Sequence, residues 1–192
     1  MDNQRGESRS TKFFTVVSSK NEAIQAKLLI ESLRTFGGKL QDTQFWIFLP
    51  EPEYPEKLSS IGEAALCPLG IEAPYRGFEL AEKVFASARA EELAGKEVRS
   101  LVWLNLDCLI VNPPLLFELG MEFDAAFRPV HVRNVGSAIG EPMDNYWQTV
   151  YRTVGIEEAS YSVESFVDAQ VLRPYFNTHC FAINPSKGIL QN

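Results

Sequence analysis

The chain has 192 residues, 45% of them hydrophobic and 22% charged, with a formal net charge of −7. That is enough for one domain with a sizeable core, and the composition is ordinary for a globular protein. The acidic balance argues against a broad nucleic-acid surface, which needs a basic patch; a phosphorylated small molecule stays open, since a metal or a few basic groups suffice to hold one.

The three cysteines, Cys67, Cys108 and Cys180, are odd in number and include no C-x-x-C pair. A disulfide framework or structural zinc site is therefore not expected, and the reducing cytoplasm is the default compartment. No apolar run approaches the roughly 18 residues of a membrane span. The first residues are polar and lack the apolar centre of a signal peptide. Residues 1–11 read as a disordered leader and 12–192 as a single domain.

Residues 13–17 form a buried first strand. Ser19 and Glu22 have capping-box spacing, so a helix starts there. Ile24, Leu28, Leu29, Leu33 and Phe36 give it an apolar face, and Gly37-Gly38 end it. Residues 45–49 are the second strand. Pro50, Pro52 and Pro55 interrupt it, a short helix follows over 56–65, and 66–69 make a short third strand. A long helix is predicted over 78–94, with Leu80, Val84, Phe85, Ala88 and Leu93 inward and Gly95 past its end. A strand at 101–104 comes next.

Then follow a helical turn near 115–119, a strand at 124–127 and a loop over 130–141. A helix over 143–154 turns Trp147, Val150 and Tyr151 inward, and 180–183 is the last strand. Residues 185–190 read as the start of a further helix, which fits either a C-terminally truncated fragment of a longer protein or a short tail that packs locally. The β-α-β alternation indicates an α/β domain with a mostly parallel sheet, mixed in direction in its later part.

The most informative stretch is 98–114. An apolar run to Leu104 meets Asn105 and Asp107 with one residue between them. A second apolar run ends at Asn112-Pro113-Pro114. A carboxylate at the end of a buried strand is costly unless it has a cation, hydrogen bonds or water. Open α/β sheets bind ligands beyond the carboxyl ends of their strands, so Asp107 is placed to hold a metal or ligand. A turn or helix-cap role is the plainer alternative.

With its flanks, this stretch resembles the Asp-x-Asp element of GT-A fold glycosyltransferases, which use nucleotide-diphospho-sugars; the likeness is to the family-8-like branch and its relatives. Here Asn105 stands for the first acid. The resemblance implies a three-layer α/β/α domain around a mostly parallel mixed sheet. It implies a UDP- or GDP-sugar as donor, an acceptor it does not identify, and a divalent cation (Mn²⁺ or Mg²⁺) at Asp107 and Asn105. Because an amide offers only a neutral carbonyl, that cation would be held weakly or not at all.

By the same resemblance, residues 15–19, from Thr15 to Ser18 and Ser19, lie where the first strand meets the nucleotide, and Lys83 where a cation reaches the diphosphate. Arg128, with His131 beside it, follows the metal motif. Residues 174–178 with 181–185 resemble the Phe-Asn-x-Gly segment, which assigns Asn177 to the sugar or acceptor pocket and puts His179 in place of Gly. Asp168 is the candidate acceptor-side carboxylate, ahead of Glu164. Two alternatives remain. One is a catalytically degenerate domain that binds nucleotide, glycan or a protein partner. The other is a nucleotidyltransferase, disfavoured because no Gly-rich basic loop follows the first strand. P-loop, G-x-G-x-x-G, H-E-x-x-H and G-x-S-x-G motifs are missing.

Overall fold

The computed structural model describes residues 10–50, 64–76, 78 and 80–191. The expected leader up to residue 9, and the helix expected over 56–65 up to residue 63, lie outside the described residues. Ser10 and Thr11, read as the end of the leader, already belong to the first strand. Within the span read as one domain, the chain forms two compact units. One takes the chain up to Ala126 and from His179 onward; the other is Phe127–Thr178.

Among the described residues the strands are β1 (Ser10–Val16), β2 (Phe45–Leu49), β3 (Ala65–Pro68), β4 (Val98–Leu104), β5 (Ala125–Pro129), β6 (Val163–Glu164), β7 (Val171–Leu172) and β8 (Phe176–Ile183). The main sheet runs β3-β2-β1-β4-β8-β5. β1 pairs in parallel with β2 and β4, and β2 with β3, whereas β4 and β8 are antiparallel. The sheet is thus mostly parallel and mixed, as the sequence predicts.

Alternation along the strands sorts the first unit's core into two faces. Phe13 and Val17, Phe45, Ile47 and Leu49, Val102 and Leu104 pack on one side, against helix α1 (Lys20–Phe36). Phe14 and Val16, Trp46 and Phe48, Leu101 and Trp103 pack on the other, against helix α2 (Ala81–Leu93). This is the three-layer arrangement.

Both helices present faces other than those predicted. α1 buries Ala26, Leu29, Ile30 and Leu33, an unbroken i, i+3, i+4, i+7 stripe. Ile24, Leu28 and Phe36, counted as inward, are exposed; only Leu29 and Leu33 belong to both sets. α2 buries Ala86, Ser87, Ala90 and Glu91, whereas Leu80, Val84 and Leu93 are exposed. The physical reason lies beneath the helix. Phe14, Trp103 and Phe181 fill that face of the sheet, with Phe14 and Trp103 edge to face at 5.4 Å, so a helix crossing it contributes small side chains.

Glu91 is 4% exposed. Its carboxylate accepts the backbone N–H groups of Ile189 at 3.0 Å and Leu190 at 2.8 Å, pinning the segment after β8 onto α2. The predicted further helix there is one 3-10 turn, Pro185–Lys187, stopped by left-handed Gly188 at φ 63°.

In the second unit, helix α3 (Asn145–Thr153) is capped by Asp144, whose side chain accepts the Trp147 N–H at 2.9 Å. Trp147 and Tyr151 are buried as expected, with Val150 half-buried. The β6–β7 hairpin was not predicted; two-residue strands carry no periodicity to read. Arg173, 6% exposed, donates to Ser137 Oγ at 2.8 Å and to the Ala138 and Glu141 carbonyls at 2.6 and 3.1 Å.

Candidate functional site

β4 carries the site because its seven residues are all buried. Beyond Leu104, the Asn105 N–H still donates to the His179 carbonyl at 2.8 Å, and the Cys108 N–H turns back to the Asn105 carbonyl at 3.1 Å. This turn brings Asp107 out to solvent at the carboxyl end of the strand. There, within the first unit, lies a cleft of about 320 Å³ lined by residues of β1, α1, α2 and β4, among them Thr15, Ser18, Lys83, Asn105 and Asp107.

Three features set the chemistry of this cleft. Lys83 lies over the Trp103 ring, 4.7 Å from its centroid, and 5.7 Å from that of Phe181. Burial of the ammonium lowers its pKa to about 8, against the attraction of Cys180, Cys108 and Asp107. Secondly, the Trp103 Nε1–H donates to Asn105 Oδ1 at 2.7 Å. Indole nitrogen is a donor only, so this bond fixes which way the Asn105 amide faces. Thirdly, Thr15 beneath the cleft is fully buried and its Oγ1 has no hydrogen-bond partner.

The serines after β1 are engaged within the protein. Ser19 caps α1, its Oγ accepting the Glu22 N–H at 3.2 Å, and accounts for the start of that helix. Ser18 donates its backbone N–H to Glu22 Oε2 at 2.5 Å and its hydroxyl to Glu82. Both glutamates line the cleft with Asp107, setting three carboxylates against one lysine. A diphosphate would meet repulsion here unless a cation entered with it.

Among the described residues, no three His, Cys, Asp or Glu side chains converge as a preformed metal centre. Asp107 is exposed and offers one carboxylate, with His179 Nε2 3.5 Å from its Oδ2. This donor set fits a cation that takes most of its ligands from phosphate and water. Asn105 Oδ1, the expected second ligand, is turned to the indole.

The remaining predicted residues belong wholly or largely to the second unit. Arg128 and His131 contact one another at 2.7 Å. Asn177 is in β8, half-buried. Asp168 closes a turn, accepting the Ser165 hydroxyl and, at 3.2 Å, the Arg133 N–H. The Ser165 bond chiefly holds its carboxyl below the usual carboxylate range, which opposes a general base. Glu164 lies in β6, exposed. Sequence reasoning placed Thr15 in the nucleotide-facing segment without a role for its side chain, and missed Trp103. Trp103 was legible in principle, because on a strand a residue two before Asn105 shares its face.

No protein-family model and no curated protein matches this sequence. Solved structures do match. The galactosyltransferase LgtC in complex with donor and acceptor sugar analogs superposes over 93% of this chain and 59% of its own, with a TM-score of 0.57 and 14% identity. Mouse xyloside xylosyltransferase 1, apo form, covers 92% of this chain and 68% of its own (TM-score 0.54, 12% identity). The 4-diphosphocytidyl-2C-methyl-D-erythritol synthase of Anaerococcus prevotii DSM 20548 covers 94% and 73% (TM-score 0.53, 5% identity). The architecture is therefore that of the GT-A-like nucleotide-diphospho-sugar transferases, and this chain spans 59% of LgtC's length. A synthase shares the fold with two sugar transferases, so the fold alone does not fix the reaction. No helix among the described residues is long and apolar enough to cross a membrane.

Proposed function

We propose that the chain binds a nucleoside-diphosphate sugar, UDP- or GDP-linked, and takes part in moving its sugar to an acceptor, with a divalent cation at Asp107. The observation that carries this reading is the convergence of Asp107, Asn105 and Lys83 in one cleft at the carboxyl ends of β1 and β4. Its support from outside the chain is the likeness in fold to sugar transferases.

Departure of a sugar from a diphosphate leaves negative charge on the phosphate oxygens. A divalent cation, Mn²⁺ or Mg²⁺, held at Asp107 would supply the positive charge that neutralises it. The chain's own residues do the rest. Asp107 supplies the carboxylate that holds the cation. Lys83, charged below pH of about 8, faces the diphosphate from α2. Asn105, its carbonyl oxygen held by Trp103, turns its NH₂ donors to ribose or phosphate.

Asp168 gives one specific reason for a second reading, a domain that binds the donor without transferring it. Its oxygens are engaged in a turn, and it is the carboxylate expected on the acceptor side. Calorimetric titration with UDP and GDP, each with and without Mn²⁺, tests the binding. The expected result is one nucleotide bound, more tightly with Mn²⁺, and a loss of that Mn²⁺ dependence in Asp107→Ala. Failure of both nucleotides to bind folded protein would remove the reading, and donor hydrolysis or transfer would separate enzyme from binder.

A further inference from the structure

The pairing of β4 with β8 brings together two residues that are 72 positions apart in the sequence. Leu104 stands opposite Cys180 in the antiparallel register, and the Asn105 N–H extends the ladder to the His179 carbonyl. The imidazole of His179 thereby comes beside Asp107, with Nε2 to Oδ2 at 3.5 Å. The side chains are 56% and 61% exposed, so the pair is open to a ligand from solvent and contributes little to stability as an ion pair.

We propose that Asp107 and His179 are the two protein ligands of the cation site, and that this nitrogen–oxygen pair selects a first-row transition cation over Mg²⁺. The proposal rests on the reading of the cleft as a nucleoside-diphosphate site, and adds to it the second ligand and the class of metal. Two ligands that hold one cation at about 2.1 Å stand about 3.0–3.4 Å apart for octahedral to tetrahedral angles. The Asp107–His179 separation needs almost no adjustment to meet that. Asn105 offers only a neutral carbonyl oxygen, which already accepts the Trp103 indole N–H. Imidazole suits transition metals, which bind nitrogen in the Irving–Williams order, whereas Mg²⁺ keeps to oxygen and dehydrates reluctantly. Nucleotide phosphates and water complete the coordination.

The test is direct cation binding to the whole chain, by Mn²⁺ electron paramagnetic resonance, with Mg²⁺ and Co²⁺ as competitors. In the wild type, Mn²⁺ is expected to bind at least tenfold more tightly than Mg²⁺, and Co²⁺ more tightly still. His179→Ala and His179→Gln are each expected to lose tenfold or more in Mn²⁺ affinity and to lose the preference over Mg²⁺. Circular dichroism confirms that each variant is folded, which the exposure of His179 favours. Equal affinities for Mn²⁺ and Mg²⁺, or unchanged Mn²⁺ binding in both His179 variants, would overturn the proposal. If His179-dependent binding of Mn²⁺ alone is found but neither UDP nor GDP binds, the cation site stands and the glycosyltransferase reading falls. If nucleotide binds with Mn²⁺ and His179 is indifferent, the reverse holds.

Discussion

Replacing Lys83 by Met keeps most of the side chain's length over Trp103 and removes the charge. With its pKa lowered to about 8, Lys83 is roughly nine-tenths charged at pH 7 and roughly one-tenth charged at pH 9. A charge-assisted hydrogen bond contributes about 1.5–3 kcal/mol, so Lys83→Met should weaken nucleoside-diphosphate binding about 10- to 150-fold at pH 7. Wild-type affinity should fall as pH rises from 7 to 9 and approach that of the variant, whose own profile stays flat. Stability moves the other way. The folded pKa lies below the unfolded value of 10.5, so the unfolded chain holds more protons between about 8 and 10.5. Wild-type stability relative to Lys83→Met therefore rises with pH across that window. Isothermal titration of UDP and GDP, paired with urea unfolding at the same pH values, reads both. A wild-type binding profile as flat as the variant's would refute the assignment of Lys83 to the diphosphate.

Glu91→Ala removes the acceptor for two backbone N–H groups. With Ile189 exposed enough for water to replace part of the loss, the cost is about 2–4 kcal/mol. Urea unfolding measures it, and Glu91→Gln, which keeps one strong acceptor, should cost roughly half as much; a midpoint unchanged by either would show the contacts to be incidental. Asp168 contributes stability that is present above its unfolded pKa of 3.8 and is lost as pH falls through its lower folded value. Wild type and Asp168→Asn should therefore differ in unfolding midpoint at neutral pH and converge in strong acid, whereas parallel curves would remove the turn-closing role.

The fold was legible wherever one period dominated. β2 is an unbroken apolar run and matches its predicted bounds, and the Ser19 cap of α1 follows from local hydrogen bonding. The faces of α1 and α2 were not legible, because hydropathy credits large side chains, whereas the sheet dictates how much volume a helix must bring. Ala26, Ala86 and Ala90 are buried by that complementarity, which only the partner surface reveals. Part of the site was legible in the same way. Asn105 and Asp107 announce themselves as polar groups ending an apolar run, whereas Thr15 looks like any threonine in a strand until its oxygen proves to be partnerless. The closeness of His179 to Asp107 depends on strand register across 72 residues, which no local pattern records.

The place of β8 in the sheet has a consequence for how the molecule matures. Last in sequence among the described strands, it pairs along β4, so on a ribosome that side of β4 stays an open edge, with unpaired amides and carbonyls, until residues 176–183 have been made. Such an edge is a template for pairing with other chains, and its closure needs contacts that form slowly because they are distant in sequence. Protection of that edge thus arrives late, and a nascent chain halted before β8 would be both without His179 and prone to stick to its neighbours.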